Sequence, residues 1–351
     1  SNSFNTPLVN NEVNNNNLNL DSIFEAGSFS DTTVASQTAS FLLSAGQGDS
    51  VIADEESLQV MYYYGMSLDT SFTGDDVLNV VIETGNNVST GRSFNTAQYL
   101  DYGSSNNDTL KVVDLNYTRS WGDLTVTVGD SLDASAQFST ACAYSGFTDQ
   151  LADCGTGLSA GLGGDVTISS SYDIGGGFVA GLGITGAEGA STDGLFTKEA
   201  VDAVAGQLAY SADNYGLSVS YAKIDSNDLS GTIIGVNQDA VVWGLNGFYS
   251  FDGPIDSLSV GYQISDMEDE ADRTNWFAGI STSEIGPGTI NLAVGTTAPI
   301  LENAEETLQY EASYSWDVND STAMTLGGFT VDRATGTDDF TGVALSTTFS
   351  F

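Results

Sequence analysis

The sequence predicts an all-β fold, a sixteen-stranded antiparallel barrel that crosses a membrane. Three observations carry this: segments of about ten residues that alternate oily and small polar side chains, connections that alternate between long and short, and a composition that leaves few other classes open. The last segment, TGVALSTTFSF at 341–351, shows the alternation plainly. Val343, Leu345, Thr347, Phe349 and Phe351 fall on one face, and Gly342, Ala344, Ser346, Thr348 and Ser350 on the other.

The chain has 351 residues, 40 of them Gly and only 4 Pro, with 15% charged. No stretch reaches the roughly 18 to 20 uncharged apolar residues that a membrane helix requires. Barrel strands need only about 9 to 11 residues, and their alternation between lipid and lumen averages the hydropathy to near zero. The 47 acidic against 7 basic residues, a net charge of −40, exclude nucleic acid and anionic surfaces as partners and favour cations. The same excess also occurs in proteins that stay soluble in high salt. Histidine is absent, which removes Ser-His and Cys-His nucleophiles and imidazole metal sites, so no enzyme and no cofactor is expected. Cys142 and Cys154 are the only cysteines, and an isolated pair closing a loop reads as a disulfide from an oxidising compartment. No signal peptide precedes Ser1, so the expected form is the mature one.

Residues 1–27, opening SNSFNTPLVNNEVNNNNLNLD, form an Asn-rich arm with little to bury: a tether, or a segment folding back into a lumen. The barrel is expected over 28–351. Its sixteen segments run near 28–43, 57–72, 76–85, 109–121, 123–132, 164–173, 177–186, 203–212, 215–224, 238–251, 256–266, 274–283, 287–296, 307–317, 320–331 and 340–351. Short joints such as WGD, DIGGG, ADNYG, EIGPG and DVND carry the Gly, Asp, Asn and Pro of tight turns. The intervening joints are long. Short turns at one end and long loops at the other suit an outer-membrane barrel, whereas a soluble sandwich has no reason to sort its loops by parity.

Within LQVMYYYGMSLDTSF, Leu58, Val60, Tyr62, Tyr64, Met66 and Leu68 share one face, opposite Gln59, Tyr63, Ser67 and Asp69. By the same parity Asn79, Glu83, Asp114, Asn116, Gln309 and Glu311 are expected to face the lumen, because a carboxylate facing lipid costs several kcal/mol. Aromatic residues gather at segment ends, with Trp121, Trp316, Phe349 and Phe351 assigned to a girdle at the membrane boundary. A barrel leaves no edge in lipid, so the strand ending at Phe351 is expected to pair with the first one.

Four stretches resemble a known family. FEAGSFSDTTVASQTASFLL at 24–43, YYYGMSLDTSFTGDDVLNVVIETGN at 62–86 and LKVVDLNYTRSWGDLTVTVGD at 110–130 are similar to the first strands of the major porins of cyanobacterial outer membranes. YEASYSWDVNDSTAMTLGG at 310–328 is similar to their penultimate hairpin. The likeness extends over 24–351, and SLDTSFTGDD is its most specific piece. Members usually carry an N-terminal S-layer-homology domain and a coiled coil that grip the cell wall, where this chain has only the Asn-rich arm. The resemblance implies a homotrimer of 16-stranded barrels in the outer membrane of a Gram-negative cell. It implies lipid and lipopolysaccharide as neighbours and small inorganic ions and solutes as permeants.

In trimeric porins the third outer loop folds inward, which here is the segment near 133–163 containing both cysteines. Asp133, Asp149 and Asp153 on that loop are then candidate constriction acids, against the plainer reading that they point to outside water. Arg119 shares parity with Leu115 and Tyr117 and is expected to face outward; Arg92, Arg273 and Arg333 are placed in outer loops. Asp266, Glu268, Asp269, Glu270 and Asp272 form a weak Ca²⁺ candidate without the ordered spacing of an EF-hand, so a solvated charge run is the simpler reading. GLGITG at 181–186 matches a nucleotide-loop pattern, but no helix follows it and it reads as a strand. The function expected is a cation-leaning diffusion channel. The alternative is a surface adhesin or receptor barrel whose loops, not its lumen, do the work, and a soluble acidic β protein is a third reading.

Overall fold

A computed structural model describes residues 32–48, 58–86, 99–100, 102, 108–160, 162–164, 166–187, 192, 194–197, 200–225, 239–268, 272–296, 300–301, 307–332 and 339–351. The Asn-rich arm lies outside them. The strands are β1 (Thr33–Gln47), β2 (Gln59–Thr70), β3 (Asp76–Gly85), β4 (Lys111–Trp121), β5 (Leu124–Asp130), β6 (Val166–Gly175), β7 (Phe178–Gly186), β8 (Asp202–Ser211) and β9 (Tyr215–Asp225). They continue with β10 (Ala240–Ser250), β11 (Ser257–Met267), β12 (Arg273–Ile285), β13 (Gly288–Thr296), β14 (Ile300–Leu301), β15 (Leu308–Asn319), β16 (Thr322–Val331) and β17 (Phe340–Ser350).

Each long strand pairs antiparallel with its neighbours in sequence, and β1 pairs with both β2 and β17, so the sheet closes on itself. The fold is a closed antiparallel barrel of sixteen long strands, with the two-residue β14 lying beside β12. Phe351 donates its N–H to Gln37 O at 3.0 Å and accepts from Gln37 N at 2.7 Å, so the last residue of the chain sits in the closing seam. Backbone groups along the seam thereby find partners, as an apolar solvent demands.

Two departures from the sequence reading are local. β1 spans Thr33–Gln47 and runs past the expected end at 43, because Ala, Ser and Thr occupy both of its faces and its far end is set by pairing with β2 and β17; the expected 28–31 lie outside the described residues. Between β3 and β4 the register slips at Val81/Ile82, leaving Val113 as a bulge. The bulge puts Lys111, opposite Glu83, on the same inner face as Asp114 despite their odd spacing.

The outer face carries exposed aliphatic side chains on every side of the barrel, among them Leu43, Val60, Leu115, Ile168, Leu182, Leu217, Leu245, Val260, Leu292 and Val343. An apolar band of this extent belongs in lipid, and the protein is a transmembrane barrel. At the short-turn end the band is edged by aromatic pairs. Phe178 and Tyr210 lie 4.7 Å apart, Tyr249 and Phe251 4.7 Å, and Tyr314 and Trp316 stack at 5.3 Å. Trp121 and Phe351 are exposed at the same end, and Phe349 meets Phe41 edge-on. Arg119 faces outward there, its guanidinium 5.4 Å from the Trp121 ring centre.

Candidate functional site: a lumen narrowed by the third loop

The loop between β5 and β6 contains two single helical turns, Asp149–Ala152 and Gly157–Ala160, and does not project outward. It makes hydrogen bonds and packing contacts to inner-face side chains around more than half the circumference. Gln137 bonds Ser169 of β6 and Thr127 of β5; Ser159 bonds Ser220 of β9 at 2.7 Å; Thr156 bonds Asn246 of β10 at 2.7 Å. Further on, Ala143 N donates to Ser259 Oγ of β11 at 2.9 Å, and Leu151 and Tyr144 pack on Phe277 and Ala293 of β12 and β13. Only a segment inside the barrel reaches all of these faces.

The wall is shaped to receive the loop. A Cβ at Gly261 would lie 1.6 Å from Cys154 O, and one at Gly183 would lie 1.8 Å from Ala134 O. Backbone atoms of the loop thus occupy the space of absent side chains. The disulfide between Cys142 and Cys154 ties the loop to itself, with Cα atoms 6.2 Å apart, and Cys154 is wholly buried. A cross-link of this span removes alternative shapes from the loop's ensemble.

Glu311 of β15 anchors the loop's middle. Its carboxylate accepts from Tyr144 Oη at 2.7 Å, Phe147 N at 2.8 Å and Thr148 N at 2.9 Å, and also from Thr148 Oγ1. Gln309, two residues earlier, donates to the same Thr148 hydroxyl. Burial first, and then the Glu311 charge, push the Tyr144 phenol well above its usual range, so it stays a donor. Gln309 and Glu311 face inward, but both are buried under the loop and line no open water.

On the loop's other side, Asp149 and Asp153 are exposed and Asp133 is half-buried. They form one group. Asp153 is pushed up to about 6, first by desolvation among surrounding protein atoms and then by the charges of Asp149 and Asp133. Desolvation by the surrounding protein atoms also raises Asp149.

Away from the loop, the wall of β2 to β4 carries half-buried polar side chains linked across strands. Asn79 donates to Ser67 at 2.6 Å and to Asp69 at 2.5 Å; Asn116 donates to Asn79 at 3.2 Å and to Asp114 at 3.1 Å. Asp69, Asn79, Asp114 and Asn116 therefore make a continuous ladder of oxygen and amide groups down this sector. Glu83 faces the same way but is only 5% exposed, bonded by Tyr63 Oη at 2.9 Å. Asp69 joins the ladder from the polar face of β2, and Lys111 escapes a parity count because the Val113 bulge breaks it.

Arg273 is the first residue of β12, not a loop residue, and sits on the inner-face parity with Asn275 and Phe277. Arg92 and Arg333 lie outside the described residues. Of the weak cation candidate, Asp269 and Glu270 lie outside them as well, and Asp266 falls on the outward parity of β11. Among the described residues no three His, Cys, Asp or Glu side chains gather as a metal site would need.

No family model matches the chain, and no curated protein matches it. Solved structures do. An anion-selective porin from Comamonas acidovorans superimposes with a TM-score of 0.60 at 16% identity, covering 91% of this chain and 99% of the other. A mutant of the Rh. blastica porin gives 0.58 at 13% identity, covering 91% and 100%. A loop deletion mutant of OmpT, an outer membrane protein of Vibrio cholerae, gives 0.61 at 8% identity, again covering 91% and 100%. At these identities the likeness is one of architecture: the chain has the fold of the sixteen-stranded bacterial porins.

Proposed function

We propose that the protein is a passive diffusion channel of a Gram-negative outer membrane, passing small inorganic ions and small hydrophilic solutes with a preference for cations. What supports this reading is acid on two elements of the barrel interior: Asp133, Asp149 and Asp153 on the loop, where the charges of Asp149 and Asp133 bear on Asp153, and Asp69 and Asp114 on the wall of β2 to β4. Carboxylates on both elements raise the local concentration of cations and disfavour anions. The Comamonas acidovorans structure is described as anion-selective. The present lumen argues for the opposite sign, since Lys111 and Arg273 are the basic side chains on inner-face parity among the described residues.

The homotrimer follows from the resemblance of 24–43, 62–86, 110–130 and 310–328 to cyanobacterial porins, and an origin in such a membrane rests on the same stretches. Lipid and lipopolysaccharide are the neighbours the apolar band calls for. The test is the planar-bilayer current of detergent-purified, unheated protein across a KCl gradient. Conductance steps in multiples of three with a cation-biased reversal potential support the reading. Silence from protein shown to be inserted overturns it in favour of the adhesin or receptor barrel.

A further inference from the structure

The inner wall of β1, β16 and β17 does not suit a water-filled pore. Leu42, Phe329, Val331, Phe340 and Ala344 all lie on the inner face there and are all buried, while their outward neighbours Phe41, Leu43 and Val343 are exposed. Met61 of β2 extends the same strip. A lumen open to water along this sector would leave an apolar strip wet, at a cost proportional to its area. The third loop reaches only the edge of the strip, because its other wall contacts run from β5 round to β15.

What covers it belongs to the second long loop, between β3 and β4. Tyr99 stacks on Phe340 at 5.0 Å and tilts onto Phe329 at 5.0 Å. Leu100 packs against both apolar groups of the strip. Tyr102 is 2% exposed, and its hydroxyl shares a 2.7 Å hydrogen bond with Ser40, itself 1% exposed on the inner face of β1. Burial raises the Tyr102 phenol to about 12, so the hydroxyl stays protonated at any working pH. Phe147 of the third loop touches the same two apolar groups, seated over Gly327, where a Cβ would lie 2.5 Å from its ring.

From this geometry we infer that Tyr99, Leu100 and Tyr102, from the segment between β3 and β4, form a second inward constriction element that meets the third loop at Phe147. The two elements cover adjoining sectors of the wall and confine permeation to the polar sector of β2 to β4. The size limit for uncharged hydrophilic solutes is set by both elements together. This rests on the channel reading above and adds to it a residue set that decides how large a solute passes.

Cysteine chemistry tests it cleanly, since the two native cysteines are tied to each other. Ser40→Cys and Asn116→Cys are made separately in the otherwise unaltered chain and exposed in the bilayer to a cationic, thiol-reactive methanethiosulfonate. Asn116→Cys is expected to react at least ten-fold faster. Combining Tyr99→Ala, Leu100→Ala and Tyr102→Ala is expected to bring Ser40→Cys to the same rate. The same triple variant should admit, in liposome swelling, sugars that the unaltered chain excludes. Ser40→Cys reacting as fast as Asn116→Cys in the unaltered chain overturns the inference, and needs no folded triple variant. A folded triple variant with an unchanged sugar cut-off overturns it too. Absence of any current in the unaltered chain instead removes the channel reading itself, so the two failures are distinct.

Discussion

The wall under the third loop and the wall of β2 to β4 belong to one barrel and share one alternation, yet they do different things with their inward residues. Under the loop, inward positions are filled by Gly183, Gly261, Ser220, Ser259, Gln309 and Glu311, which are small or serve as hydrogen-bond partners for another piece of the chain. On the other sector, Asp69, Asn79, Asp114 and Asn116 bond one another sideways and keep a face toward the lumen. An inward position is therefore not the same as a pore-lining one. Glu311 and Asp114 have the same signature in the sequence, yet Glu311 is buried against the loop and Asp114 is half-buried beside Asn116.

The largest effect is expected where the loop's backbone meets the wall. Gly261→Val places side-chain carbon where Cys154 O lies, so the loop cannot seat, at a cost of about 3 kcal/mol or more. Single-channel conductance should rise and become noisy. A similar rise from Asn79→Ala, on the bare wall, would erase the distinction between the two sectors.

Next comes Glu311→Ala, which strands the buried N–H groups of Phe147 and Thr148 and the Tyr144 hydroxyl. Each lost partner costs on the order of 1 to 3 kcal/mol. Thermal unfolding in detergent should move down clearly, while the cation preference changes little. A loss of selectivity without loss of stability would mean that Glu311 lines the pore after all.

Asp114→Asn should do the reverse. Stability is expected to stay within about 0.5 kcal/mol, while the cation-to-anion permeability ratio falls by roughly two-fold at low salt. Raising ionic strength to about 1 M shortens the Debye length to about 3 Å and should shrink that difference. An unchanged ratio at low salt would remove the ladder from the permeation path.

The smallest effect is a pH response. Asp153, pushed up to about 6, binds a proton in the folded barrel at a pH where an ordinary aspartate does not. Its influence on folding favours the folded state most below the ordinary carboxylate pKa and is lost as pH rises through 6. Lowering the pH from about 7.5 to about 5 neutralises it and should weaken cation preference in part. Asp153→Asn should flatten that part of the profile; a profile identical to that of the unaltered chain would assign the response to other groups.

The barrel was legible in the sequence because period-two alternation and loop parity are local properties, visible in stretches such as LQYEASYSW and in the tight turns that separate them. The disulfide was legible because only two cysteines exist. Parity also assigns Glu311 to the inner face. What it could not show was that Thr148, more than one hundred and fifty residues earlier, would cap it, since that contact depends on how an irregular loop crosses the lumen. Lys111 was hidden by one bulge residue, Val113. The second loop left a faint signal, the cluster Tyr99-Leu100 and Tyr102 inside an otherwise Asn- and Ser-rich stretch, which has meaning only against the apolar strip it covers.

The most direct test of the two-wall account is thiol modification in the bilayer of Asn116→Cys beside Ser259→Cys, one on the bare sector and one under the loop. The account predicts that a cationic methanethiosulfonate lowers the current and shifts the reversal potential toward anions at Asn116→Cys. Ser259→Cys, at a residue that is 1% exposed and whose hydroxyl accepts from Ala143 N, should stay unreactive. Equal modification at both positions would mean that the loop does not rest on that wall, and would contradict the account.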